Sequence, residues 1–207
     1  AVQPDSRSRS MTSWNPSWIA RPLSRGEGPG GRARICPPCL DSEGVGLVVV
    51  MKPTLACNAA CRYCASGEGE DHARFPESAL PELFRPFGEW LQAHPGERVC
   101  WIWHGGEPLL MGRAFYEAVV DAQRAVLGPD APRIRNVVQS NLSLLTPEWI
   151  PTLRRLVGRG SIGTSFDPVP GWRLLGRGAP AGEAYDDAWL RGTELLRRSG
   201  VRYGTVY

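Results

Sequence analysis

The sequence has 207 residues, 42% of them hydrophobic and 22% charged, the make-up of an ordinary globular protein with length for one sizeable core. Its net charge of +3 sets 24 Lys and Arg against 21 Asp and Glu, which leaves no general nucleic-acid footprint; the longest apolar stretch, Gly44 to Met51, is far below the roughly 20 residues that cross a bilayer. Six cysteines, three of them within residues 57–64, do not make the disulfide framework of a small secreted domain, and no signal peptide opens the chain; a cytoplasmic protein with metal or redox chemistry is expected, with no nucleic-acid or membrane partner.

Residues 1–43 are rich in Pro, Gly and Ser, and the first 34 of them hold Arg7, Arg9, Arg21, Arg25, Arg32 and Arg34 against only Asp5 and Glu27. This composition reads as a mobile basic segment ahead of a core at 44–207. Cys36 and Cys39 have redox-motif spacing, but no strand precedes them, so they read as part of a loop.

From Gly44 onward, short β-rich runs alternate with longer helical stretches, the pattern of a parallel sheet covered by helices. Five strands are expected: Leu47 to Lys52, Val99 to His104, Ile134 to Ser140, Ser161 to Asp167 and Val201 to Tyr207. The helix between the first two, Ser78 to Ala93, is interrupted by Pro81 and Pro86. The next, Arg113 to Leu127, is the clearest: Phe115, Ala118, Val119, Ala122 and Val126 share one face, and Gly128-Pro129 stops it. A third opens with Thr146 as N-cap and Pro147 at the first helical position and ends near Gly158 to Gly160. The last runs from about Glu183 to Ser199 and stops at Gly200.

Such repeated units give either an open doubly wound sheet or a curved, barrel-like one, and periodicity alone does not choose. Either way, ligands collect at the carboxyl ends of the strands. That is where the cysteine loop, "HGGEP", "QSN" and "SFD" fall. The sequence stops on the fifth strand, which suggests a fragment or a shortened protein.

Cys57, Cys61 and Cys64 form a C-x3-C-x2-C loop after the first strand. A structural zinc site needs a fourth donor, and His72, Cys100, Cys36 and Cys39 all lie in separate segments. An iron–sulfur cluster is held by three thiolates with one iron left open, so the spacing favours a cluster over zinc or unliganded thiols. In "HGGEP", Gly105 and Gly106 let backbone approach a ligand, and the Glu107 carboxylate can accept from an ammonium group; the competing reading is a simple glycine turn. His104 reads as a pocket-lining residue, Cys100 as a small buried side chain, and Trp101 and Trp103 as core.

The octet "CNAACRYC" with Tyr63 before its last cysteine resembles the cluster motif of radical S-adenosylmethionine (radical SAM) enzymes. Taken with "WHGGEPLL", "VVQSNLSLLTPEWI" and "GTSFD", it is similar to the anaerobic sulfatase-maturase and peptide-modifying (SPASM-like) branch over about residues 47–207. The resemblance implies an α/β fold, a partial TIM-like (β/α) barrel of about five strand–helix units. It implies a [4Fe-4S] cluster on Cys57, Cys61 and Cys64 and S-adenosyl-L-methionine bound by Tyr63, Gly105, Gly106, Glu107, Asn141 and Ser165. It also implies reductive cleavage to a 5′-deoxyadenosyl radical that abstracts hydrogen from a peptide or protein, and a low-potential electron donor such as flavodoxin or ferredoxin. For Ser165 and Asp167 a turn before Pro168 is the competing reading. Leu142 stands where the family's Gln-Thr-Asn-Gly run has glycine, which puts the local turn in question. A non-catalytic relative that binds a cluster and a peptide partner, and a structural metal-binding module, are the other readings.

Overall fold

The computed structural model describes residues 44–64, 73–167, 169, 172–176 and 184–206. The expected mobile segment, Cys36, Cys39 and His72 lie outside these described residues.

Five strands and four helices alternate: β1 Val45–Thr54, α1 Leu80–Ala93, β2 Arg98–Gly105, α2 Arg113–Leu127, β3 Ile134–Gln139, α3 Trp149–Val157, β4 Ser161–Ser165, α4 Tyr185–Ser199 and β5 Tyr203–Val206. The strands form one sheet in the order β1-β2-β3-β4-β5, every pair parallel. A doubly wound sheet reverses its strand order at one point. These strands never reverse, so the sheet is a section of barrel wall rather than a doubly wound layer. Right-handed crossovers then bring the helices to one face. There Trp101, Trp103, Val138 and Ile162 of the sheet share a single buried cluster with Phe84, Phe115, Tyr116, Leu153 and Leu196 of the helices.

Trp101 and Trp103 are core residues, as expected. Trp101 packs on Phe84 and Phe87 at ring-centroid distances of 5.0 and 4.8 Å, and Trp103 meets Phe115 and Tyr116 edge-on. Beneath Trp103 lies a polar hub that the pattern of residues did not reveal. Asn136 Oδ1 accepts from Trp103 Nε1 (3.0 Å) and Gln123 Nε2 (3.1 Å), while its Nδ2 donates to Gln123 Oε1 and to the Leu156 carbonyl. Four elements are tied through one buried amide.

The opposite face of the sheet is less covered. Along β1, Leu47, Val49 and Met51 pack against the core while Val48 and Val50 are 37% and 57% exposed. Cys100 is fully buried on β2, clustered with Ile102 and Val137. No helix of the described residues is long and apolar enough to cross a membrane.

Some departures from the expected elements have local reasons. α1 runs unbroken through Pro86, because the carbonyl it deprives of a helical partner belongs to the exposed Glu82. α3 begins at Trp149, two residues after the expected start, because the Thr146 and Pro147 carbonyls first close tight turns onto Trp149 N and Ile150 N. β5 begins at Tyr203, not Val201, since the Val201 side chain is drawn into the helix-side core.

Candidate functional site

β1 runs out at Thr54, and its chain continues as the cysteine loop. Thr54 Oγ1 accepts from Ala56 N (3.1 Å), turning the chain there. The end of β2 then docks on this turn: Gly106 N donates to the Thr54 carbonyl (3.1 Å) and Glu107 N to the Ala56 carbonyl (2.8 Å). A Cβ on Gly106 would lie well inside van der Waals contact of the Ala56 and Leu55 carbonyl oxygens, and one on Gly105, whose φ is +117°, would do the same at Thr54. The glycine pair thus admits the chain's own backbone.

Glu107 is engaged at the same junction. It is 1% exposed, and its carboxylate accepts from Leu109 N (2.9 Å), Ser140 Oγ (2.9 Å) and Asn141 N (2.8 Å). Burial pushes the carboxyl up to about 7 despite these three donors, which favour the charged form. The side chain ties the end of β2 to the loop after β3.

That loop bears on the cysteines. Asn141 Nδ2 donates to Asn58 Oδ1 (3.0 Å) and lies 4.0 Å from Cys57 Sγ, while Asn58 Nδ2 donates to Ser143 Oγ (2.7 Å). The turn passes through Leu142, the residue in the family's glycine position, at φ 62°, the left-handed region that suits glycine. Its side chain is 1% exposed in the core, and burial holds it there. Space for it comes from Gly192 in the middle of α4, where a Cβ would meet Leu142 Cβ at 2.7 Å.

The two positions are therefore coupled. Gly192→Ala alone should destabilise by about 1–3 kcal/mol through overpacking, although alanine is the better helix former. In a Leu142→Gly background the part of that cost due to the Leu142 side chain should vanish, while the carbonyl oxygen of residue 142, at 3.0 Å, stays in the way; the coupling should be about 1 kcal/mol in a urea-denaturation double-mutant cycle. Additive effects would show that α4 relaxes away from Leu142.

A second wall of the cysteine loop was missed altogether. Residues 172–176 run antiparallel along it: Ala60 N donates to the Leu174 carbonyl (2.8 Å), Arg62 N to the Trp172 carbonyl (2.9 Å) and Gly176 N to the Asn58 carbonyl (2.6 Å). Tyr63, 49% exposed, has its ring 6.3 Å from that of Trp172. In sequence the segment reads "WRLLG" inside a Pro- and Gly-rich stretch. Too short for a periodicity, it gave only an alternation of one charge among apolar residues.

Ser165 is exposed at the end of β4, and Asp167 Oδ1 accepts from Val169 N (2.9 Å), so the turn reading of Asp167 holds. His104 is exposed on the inner face and its Nδ1 accepts from Gly105 N (2.7 Å).

The three thiols share one loop, each half-buried. Burial pushes Cys57 up to about 11, with the charges of Glu107, Cys61 and Cys64 adding to it, and burial raises Cys61 as well. Cys57 and Cys61 therefore favour their protonated form at neutral pH, and a metal has to displace those protons. Among the described residues, no three His, Cys, Asp or Glu side chains gather closely enough for a single metal ion. The donor set suits an iron–sulfur cluster: three soft sulfurs within electrostatic reach of one another, with Ala59 N donating to Cys57 Sγ at 3.4 Å and the Asn141 amide beside it.

Residues 51–207 match the Radical SAM superfamily. The chain belongs to that family. Radical SAM relatives include the serine-type anaerobic sulfatase-maturating enzyme of Klebsiella aerogenes, 32% identical over 162 residues that cover 76% of this chain and 38% of the relative. The enzyme of the same description from Bacteroides thetaiotaomicron is 29% identical over 164 residues, covering 77% and 39%. Native anSMEcpe with bound AdoMet and Kp18Cys peptide superposes with a TM-score of 0.64 at 22% identity, over 77% of this chain and 42% of that one, and shows the shared radical SAM barrel fold. The chain thus spans about two fifths of the length of these two curated relatives.

Proposed function

We propose that this chain carries the catalytic core of a radical SAM enzyme that modifies a peptide or protein side chain. Cys57, Cys61 and Cys64 would hold a [4Fe-4S] cluster, and S-adenosyl-L-methionine would occupy its open iron. When bound, the pair supplies an electron and a 5′-deoxyadenosyl group able to abstract hydrogen. A donor of low potential, such as a flavodoxin or ferredoxin, would reload it. The observation that carries this reading is the convergence of the family's motifs: the "GGE" and "QSN" segments are hydrogen-bonded to the cysteine loop at the carboxyl ends of β1–β3. The peptide substrate class rests on the similarity to sulfatase-maturating enzymes.

Each residue of the site has its own task in this reading. Tyr63 and Ser165, which are exposed, contact the cofactor directly. Gly105, Gly106, Glu107 and Asn141 shape the wall behind it, because their atoms are already committed to neighbouring loops. The N–H donors at Cys57 stabilise the sulfur in its anionic form.

Anaerobic reconstitution followed by dithionite and S-adenosyl-L-methionine should yield 5′-deoxyadenosine, and Cys61→Ala should lose most of its iron and all of that product. Full iron and activity in Cys61→Ala would overturn the ligand assignment. Bound zinc with no iron or sulfide would overturn the radical reading. A full cluster that releases no 5′-deoxyadenosine would favour a relative that binds a cluster and a peptide without turnover.

A further inference from the structure

Arginine does not lose its proton in proteins, and a buried guanidinium carries a desolvation cost of several kcal/mol unless it is well paired. The side chain of Arg173 is 2% exposed. Its Nη1 donates to the Ser165 carbonyl (2.6 Å) and its Nη2 to Asp186 Oδ1 (3.1 Å). The guanidinium lies over the rings of Tyr185 (4.4 Å to the centroid), Phe166 (4.7 Å) and Trp189 (5.9 Å). Its Nε is buried without a hydrogen-bond partner among the described residues. Such an arrangement is costly to assemble for a surface loop, so its return has to lie elsewhere.

What depends on it is the segment 172–176. The carbonyls of Trp172 and Leu174, on either side of Arg173, accept from Arg62 N and Ala60 N, both between Cys57 and Cys64 in the chain. Arg173 itself reaches the other way, to the end of β4 and the first turn of α4. Resting on the cluster reading of the cysteine loop, we propose that Arg173 is a positioning residue. It rivets the 172–176 strap to β4 and α4, so that the cysteine loop is preformed before its cofactor arrives.

The test uses the full chain and three variants. Arg173→Lys keeps the charge but cannot bridge Ser165 and Asp186 while lying against three rings. Asp186→Asn removes only the exposed half of the grip. Asn136→Ala, at the buried hub under Trp103, is the control for a general loss of stability. Two quantities are read: amide hydrogen exchange at Ala60 and Arg62 in the metal-free protein, and the rate at which the reconstituted protein yields iron to a chelator.

Arg173→Lys should exchange these two amides roughly tenfold faster or more and release iron faster by a similar factor, the size typical of lost outer-shell support, with amides of β2 and β3 unchanged. Asp186→Asn should move both in the same direction by less. Unchanged exchange at Ala60 and Arg62 would overturn the proposal. Acceleration spread evenly over the sheet, as in Asn136→Ala, would also overturn it, because Arg173 would then merely stabilise the fold. The exchange measurement needs no metal. If the wild type takes up no iron, the cluster reading fails by itself while the amides still report on the rivet.

Discussion

Replacing Gly106 by alanine should lower the melting temperature by roughly 6 °C or more and abolish iron uptake on reconstitution, although the change adds one methyl group. The added Cβ points at backbone oxygens, those of Ala56 and Leu55, which cannot swing aside as the end of a side chain can. Relieving it means pulling the end of β2 off the turn that leads into Cys57, with loss of the hydrogen bonds from Gly106 N and Glu107 N. Overpacking of this kind costs about 3 kcal/mol, at about 2–4 °C per kcal/mol for a chain of this size. Gly204→Ala, where nothing lies within 4 Å of the new Cβ, should change neither quantity. A Gly106→Ala protein with unaltered melting and full iron would mean that the two loops are not in register as described.

The second large effect is expected at Glu107, and pH separates its parts. Its carboxyl is raised from 4.5 to about 7 in the folded protein because burial penalises the charge more than the three donors favour it. The folded state therefore binds this proton more tightly than the unfolded state does. The resulting stabilisation is fully present below about pH 4.5, falls as the pH rises, and is gone above about 7. At about 1.4 kcal/mol per unit, the span is on the order of 3 kcal/mol. Urea denaturation of the wild type and Glu107→Gln should diverge towards acid by about that amount, because the amide has no proton to gain in this range. Glu107→Ala should be worse at every pH, by about 3–5 kcal/mol, since Leu109 N, Asn141 N and Ser140 Oγ lose their acceptor in a buried site. Equal pH profiles for wild type and Glu107→Gln would show that the carboxyl is hydrated.

The order of strands and helices was legible in the sequence because period carries it. The face of α2 that holds Phe115 and Val119 is written at three- and four-residue steps, and its bounds came out as expected. Sheet order was not legible: strand patterns do not say which neighbour they pair with, and only the pairing distinguishes barrel wall from doubly wound layer. At the site, the residue types were readable but the direction in which they act was not. "GGE" announces a close approach by backbone and a carboxylate. It does not say that the approaching backbone is that of Leu55 and Ala56, or that the donors to Glu107 are two peptide N–H groups and the Ser140 hydroxyl. Arg173 was the least visible, because a buried arginine and an exposed one are the same letter, and the rings that hold it come from Phe166, just past β4, and from α4. Leu142 shows the converse. A departure from the family's glycine marked a turn in question, and the answer lay far along the chain in Gly192.

The cysteine loop has no wall of its own. One side is the end of β2, another the loop after β3, and a third the strap that follows β4. The octet is therefore not a portable cassette. Grafted onto another strand it would bring three sulfurs and none of the neighbours that shape them. A designer seeking to install it elsewhere would have to move two bare glycine positions, a buried carboxylate and an arginine rivet along with it.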